Sequence, residues 1–308
     1  MSKFPIHKIN FNINDLEQLG TKEKFWFLYV TDDSNKWLFK YSRENTGEHW
    51  SEKAAEQLCL TLDIPHARYE LALSGNREGI ITKNLISPES RMVMGNEVLH
   101  SNSPGVYPQP QIESVVRVRE HTVSRVVGCL DGKSIAPPIT EIDISDLNAA
   151  DVFCGYLMLD TLISNQDRHH ENWAIVVNNE SNTSSLCPTY DHAASLGREL
   201  LDEERERRLT SKDKNQQITF FVSKARSELF RINADKKPLS TIDAFYNSVD
   251  GRKKAKDHWL SKLRNLTNEN IFDIFNNIPN ESITEISRKF AIQMVLENKK
   301  RLLEDERA

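Results

Sequence analysis

Apolar positions follow two different periods along the chain. Residues 24–30 (K-F-W-F-L-Y-V) and 37–41 (W-L-F-K-Y) are dense runs of aromatic and apolar side chains, separated by a polar D-D-S-N stretch. Runs of β-formers joined by turn residues predict a hairpin. Residues 50–62 change period: Ala54, Ala55, Leu58 and Leu62 recur at helical spacing. Pro65 disfavours helix before itself, so this helix ends near D-I-P. Residues 69–73 and 79–85, joined by S-G-N-R, predict two further strands.

Four prolines, Pro88, Pro104, Pro108 and Pro110, punctuate residues 87–111. That stretch reads as a connection between two lobes. Beyond it, residues 147–163 predict a strong amphipathic helix, capped by Asp143 or Ser145. Residues 165–177 read as a loop followed by a short apolar strand, W-A-I-V-V. A second strand-like segment, 186–191, follows a polar hairpin. Residues 202–217 are a charge run that reads as a solvated helix or mobile loop. Residues 242–303 predict three or four helices. The expectation is an α+β chain in two lobes: 1–86, β-rich with one helix, and 87–308, larger and mostly helical.

Composition narrows the function classes. With 308 residues the chain can bury a large core, and Trp, Phe, Leu and Ile recur throughout, which excludes disorder over the whole length. The formal net charge of -5 supplies no global basic field, so direct nucleic-acid binding is not expected. Cys59, Cys129, Cys154 and Cys187 are far apart with no C-x-x-C pair, as reduced thiols of a cytoplasmic protein would be. The start, M-S-K-F-P-I-H-K, lacks the apolar core of a signal peptide. The most apolar window, 152–163, contains Asp160 and is too short and too polar to span a bilayer.

The segment N-Q-D-R-H-H-E-N-W, residues 165–173, lies between a predicted helix and a predicted strand. Its Asp167 and Asn172 are five positions apart. Phosphoryl transfer needs a carboxylate to orient the attacking hydroxyl and a neutral oxygen ligand for Mg²⁺ nearby. Asp191 follows at the end of the next strand and offers a second carboxylate for the metal. Strand, loop and strand would bring Asp167, Asn172 and Asp191 to one cleft edge.

These motifs, D-R-H-H-E-N and then Y-D-H-A-A-S-L-G, resemble the catalytic core of HipA-like kinases. In the smaller lobe, residues 47–72 (from G-E-H-W-S-E-K to R-Y-E-L-A) resemble that family's helix and following strand. The resemblance covers residues 17–300. It implies a bilobal protein-kinase-like fold that uses ATP and Mg²⁺. Asp167 would be the catalytic base, and Asn172 and Asp191 the Mg²⁺ ligands. Lys40 would contact the α/β phosphates and Glu52 would pair with it. Glu48, Glu52 and Glu56 share one helix face, and Glu56 competes for that pairing. Gly20, Thr21 and Lys22 would begin the nucleotide loop, with backbone N–H groups of residues 21–24 cradling phosphate. The adenine would lie against the backbone near residues 83–86.

Two departures stand out. Asp191 is followed by His192 and Ala193 rather than Phe-Gly, and the nucleotide loop has one glycine where eukaryotic kinases have three. The stretch before Gly20 is also too short for the extra amino-terminal subdomain of HipA itself.

The resemblance implies a Ser/Thr protein kinase acting on a protein substrate, by analogy the toxin of a toxin–antitoxin pair with an antitoxin partner. The D-R-H-x-x-N loop also permits a phosphoinositide or small-molecule kinase, and a nucleotide-binding pseudokinase is the non-enzymatic alternative. No membrane association is implied. Adjacent histidines rarely point the same way, which disfavours a zinc site at His169 and His170. His169 is expected to brace the loop, and Asp160 to tie the preceding helix to it through backbone N–H groups. Arg168 approaches phosphate or pairs with an acid. Thr210-Ser211, near Arg205, Arg207 and Arg208, is a candidate phosphorylation site in an activation segment.

Overall fold

The computed structural model describes residues 3–10, 16–17, 23–29, 32–110, 117–132, 134–144 and 146–308. Gly20, Thr21 and Lys22 lie outside the described residues, as does Ser145. Six strands make the first sheet: β1 (Ile6–Ile9), β2 (Leu16–Glu17), β3 (Lys24–Tyr29), β4 (Asp32–Tyr41), β5 (Tyr69–Ser74) and β6 (Arg77–Lys83). Their order is β1-β5-β6-β4-β3-β2, with β1 parallel to β5 and all other pairs antiparallel. The aromatic runs explain the β3–β4 hairpin. Phe25 and Phe39 are register partners, stack with centroids 5.0 Å apart and are buried beside Ala72 and Ile81. One residue further along β4, Lys40 pairs across the sheet with Lys24 and Ile80.

Helix α1 (Glu48–Thr61) begins two residues before its predicted start and packs on β5 and β6. Ala54, Ala55 and Leu58 have no exposed surface. Glu48, Glu52 and Glu56 are buried as well, so the helix is enclosed rather than half solvated. Asp63, with φ 53°, turns the chain out of the helix ahead of Pro65.

The remaining chain is mainly helical around a small second sheet. In order it forms β7 (Ser90–Met94), α2 (Gly95–Asn102), α3 (Val123–Leu130), α4 (Ala149–Leu162), β8 (Ala174–Asn178), β9 (Thr183–Leu186), α5 (Asp202–Thr210), α6 (Ile218–Ser223), α7 (Thr241–Ser248), α8 (Lys253–Asn265), α9 (Asn268–Asn277) and α10 (Glu285–Glu304). A 3₁₀ turn, Lys214–Gln216, separates α5 from α6. The four helices α7 to α10 fill the stretch expected to be helical.

Three expectations are corrected. Residues 87–111 are not only a connection, because they contain β7 and α2. β7 pairs with β8, a partner some 80 residues away that no local pattern reveals. The cap of α4 is neither Asp143 nor Ser145 but Asn148, whose side chain accepts from Asp151 N–H while Asp151 accepts from Asn148 N–H. The strand expected over 186–191 ends where it was expected to start: β9 closes at Leu186, and the chain beyond is extended with a single bridge, His66 to Thr189.

Among the described residues, no helix is long and apolar enough to cross a membrane. All four cysteines are free, and Cys59, Cys154 and Cys187 are buried.

Candidate active site

Helix α4 ends in a buried carboxylate that organises the loop after it. Asp160 accepts two hydrogen bonds from Arg168, Nε to Oδ2 and Nη2 to Oδ1, both 2.8 Å, and a third from Asn165 Nδ2 at 2.8 Å. Arg168 Nη1 donates onward to the Asn172 carbonyl at 2.6 Å. Neither Asp160 nor Arg168 is exposed beyond 2%. Burial lowers the Arg168 pKa, but the adjacent Asp160 carboxylate more than offsets this and leaves it raised, so the guanidinium stays charged. A bidentate pair whose third nitrogen is hydrogen-bonded as well is the form in which such charges tolerate burial. Arg168 therefore pairs with an acid and is not available to phosphate. Asp160 anchors the loop chiefly through these two side chains rather than through backbone N–H groups.

That anchor presents Asp167 and Asn172 together. Asn172 Nδ2 donates to the Asp167 carbonyl at 2.6 Å, and Asn172 N–H donates to the His169 carbonyl at 2.9 Å. With its NH₂ held this way, the Asn172 Oδ1 accepts no hydrogen bond among the described residues. The Asp167 side chain is about half exposed (49%), and His169 Nε2 stands 3.7 Å from its Oδ1. His169 Nδ1 accepts from Glu171 N–H at 3.2 Å, so this ring does brace the loop.

The Tyr190–His192 segment lies against the same loop. Tyr190 OH donates to the Glu171 carbonyl at 3.0 Å, and Gln166 N–H to the Ala194 carbonyl at 3.4 Å. Asp191 sits between these two ties with φ 57°, a left-handed conformation costly for a non-glycine residue. Its N–H donates to the phenol oxygen of Tyr69 at 3.1 Å. Burial, then the charges of Glu52 and Asp191, push the Tyr69 pKa well above its ordinary value, so that phenol is neutral. Across from this segment, Lys40 Nζ lies 3.7 Å from Asp191 Oδ2. Lys40 on β4 and Asp191 after β9 thus meet between the two parts of the fold.

The expected Lys40–Glu52 ion pair is not formed. Glu52 Oε1 instead accepts from His192, from the backbone N–H at 2.8 Å and from ring Nδ1 at 3.1 Å. Glu52 Oε2 is buried with no hydrogen-bond partner among the described residues. Glu56 does not meet Lys40 either; it pairs with Lys53 at 3.1 Å, and Lys53 also holds the Tyr69 carbonyl and Glu70. The acidic face of α1 is used in full, since Glu48 binds Arg198 and Arg43. Gly20, Thr21 and Lys22, the expected nucleotide loop, fall outside the described residues.

Sequence reading missed a set of supports. His170 Nδ1 meets Tyr107 OH at 2.7 Å. Trp173 Nε1 donates to His121 Nε2 at 3.2 Å, which makes that nitrogen an acceptor and leaves Nδ1–H to donate to the Glu228 carbonyl at 3.1 Å. Burial, then the nearby His170, push the His121 pKa down to about 3, so this ring is neutral. Gly95 lies so close to Trp173 that a Cβ there would stand 2.2 Å from the indole. Tyr69 and Trp173 fell inside predicted strands, but nothing in those strand patterns marks their contacts with Asp191 and His121. At the expected activation segment, Thr210 closes α5 by donating to the Glu206 carbonyl, while Arg207 and Arg208 are held by Glu204.

No protein-family model matches the chain, and no curated protein matches it in sequence. Solved structures do resemble it. A Helicobacter pylori proinflammatory kinase, CtkA, is 17% identical with a TM-score of 0.69, covering 96% of this chain and 95% of that one. A Shewanella oneidensis toxin–antitoxin complex of HipA, HipB and operator DNA gives 11% identity and a TM-score of 0.56, covering 94% of this chain. The match spans 64% of that chain's length. The likeness at these identities is one of fold: the chain has a bilobal kinase-like fold, a small β-rich lobe and a larger helical one.

Proposed function

We propose that this chain is an ATP- and Mg²⁺-dependent protein kinase acting on Ser or Thr. The observation that carries the reading is the meeting of Lys40 with Asp191, 3.7 Å apart, beside a loop that holds Asp167 and Asn172. We take the boundary between the lobes at 86/87, with nucleotide bound between them and its adenine against residues 83–86.

The residues fit the cofactors. Asn172 has an amide oxygen without a protein donor among the described residues, and Asp191 adds a carboxylate, an all-oxygen set of the kind Mg²⁺ prefers. Held by Asn172 and Asp191, Mg²⁺ would supply positive charge against the nucleotide phosphates. Lys40 adds positive charge at the same place. Asp167 orients the acceptor hydroxyl and takes its proton as the oxygen bonds to the γ-phosphorus and the bond to the departing ADP breaks. Asp160 and Arg168 hold the loop so that Asp167 needs little reorganisation. An antitoxin partner belongs to this reading by analogy alone, because the HipA of the Shewanella structure is in complex with HipB.

Calorimetric titration with ATP, with and without Mg²⁺, tests the site. Wild type should bind ATP more tightly with Mg²⁺, and Asp191→Asn should lose that gain. Lys40→Met should weaken binding under both conditions. Absence of nucleotide binding by wild type would overturn the reading.

A further inference from the structure

A cavity of about 1030 Å³ opens beside Asp167 and His169, on the side of the catalytic loop that α5 and α6 enclose. The chain just after α6 is tied to the loop itself, since Arg226 N–H donates to Gln166 Oε1 at 3.3 Å. The floor carries Phe220, Phe221 and Met294. The α5–α6 wall is cationic. Arg208 lies 4.7 Å from the centroid of the Phe221 ring and Lys224 Nζ 4.5 Å from that of Phe220.

The charge balance of that wall is uneven. Arg207 and Arg208 share one carboxylate, Glu204. Arg208 Nε is buried without a hydrogen-bond partner among the described residues. Among the described residues Lys224 has no carboxylate within ion-pair distance, and it is exposed. At the other end the arginine lining is neutralised: Arg198 is held by Glu48 and Glu199, and Arg43 by Glu48. The positive excess therefore collects over the phenylalanines, and Asp167 faces the same cavity.

We propose that this cavity is the acceptor groove and that it takes an extended acidic polypeptide segment carrying the hydroxyl that is phosphorylated. The proposal rests on the kinase reading above and names its substrate class. Successive side chains of an extended segment point to opposite sides. One side chain presents its hydroxyl to Asp167, apolar neighbours cover Phe220 and Phe221, and carboxylates meet Lys224 and the Arg207–Arg208 pair. A basic segment would set like charges against that wall and should lose at least about tenfold in transfer.

The test uses two synthetic peptides, each with a single serine beside phenylalanine, one flanked by glutamates and the other by lysines. Phosphate transfer from Mg²⁺-ATP is measured with the full chain, alongside total ATP consumption. The acidic peptide should be phosphorylated at least about tenfold faster. Lys224→Glu and, independently, Arg207→Glu should each erode that preference and shift it toward the basic peptide; both positions are exposed, so folding is spared. Equal rates for the two peptides, or a preference untouched by both substitutions, would overturn the proposal. ATP consumed with phosphate passing to phosphoinositide vesicles and to neither peptide would overturn it while leaving phosphotransfer intact. No ATP binding or consumption at all would instead remove the kinase reading on which it stands.

Discussion

Glu52 Oε1 accepts two hydrogen bonds from His192, one from its backbone N–H at 2.8 Å and one from its ring Nδ1 at 3.1 Å. The ring's other nitrogen meets Thr189 Oγ1 at 2.8 Å, so His192 is held from both sides. Through this contact α1 grips the residue next to Asp191, rather than gripping Lys40. Glu52 is therefore a positioning residue for the carboxylate that we assign to Mg²⁺.

Replacing Glu52 should disturb the metal requirement before it disturbs nucleotide binding. Glu52→Ala should raise the Mg²⁺ concentration for half-maximal phosphate transfer by about tenfold, because both hydrogen bonds to His192 are lost. Glu52→Gln, which keeps an acceptor oxygen, should recover most of the loss. A Mg²⁺ titration of turnover for the three proteins reads this directly, and identical curves would remove the positioning role.

The Asp160–Arg168 pair predicts a large cost for removing one partner. Arg168→Met leaves Asp160 as a buried uncompensated charge and should cost about 3–5 kcal/mol in urea denaturation. Adding Asp160→Leu should restore much of that stability. Turnover should stay low in the double variant, because the Asn172 carbonyl has lost its Arg168 donor. A single variant as stable as wild type would contradict the anchoring role.

Three histidines, His49 and His121 buried and His66 partly so, set an acid limit. Burial pushes His49 and His66 down to about 4 and His121 to about 3 from an ordinary value near 6.5. The unfolded chain gains protons below 6.5 that the folded chain refuses. Stability is thus full above that pH and is lost as pH falls from 6.5 toward 4, at about 1.4 kcal/mol per pH unit for each such ring. His121→Gln should flatten the slope of stability against pH across this window. A slope unchanged by that substitution would show that His121 does not contribute.

The legible parts of this molecule are those encoded by short-range pattern. The β3–β4 aromatic runs, the α1 spacing and the D-R-H-H-E-N loop could each be read locally, and with them the kinase-like architecture. Contacts between distant segments could not. Glu52 and His192 are 140 positions apart, and nothing near Glu52 says that its partner is an imidazole rather than Lys40. β7 was hidden among prolines because its pairing partner, β8, lies beyond three helices. Arg168 illustrates the intermediate case: its acid partner is eight residues away, but two roles fit the sequence and only burial decides between them.

The central claim is most directly tested by transfer of labelled phosphate from γ-labelled ATP with Mg²⁺, to the protein itself and to proteins of a cell lysate. Wild type should transfer label to protein, while Asp167→Ala and Asp191→Ala, each folded by circular dichroism, should transfer none. Label that persists in both variants, or wild type that binds ATP but transfers no label to protein, would contradict the account.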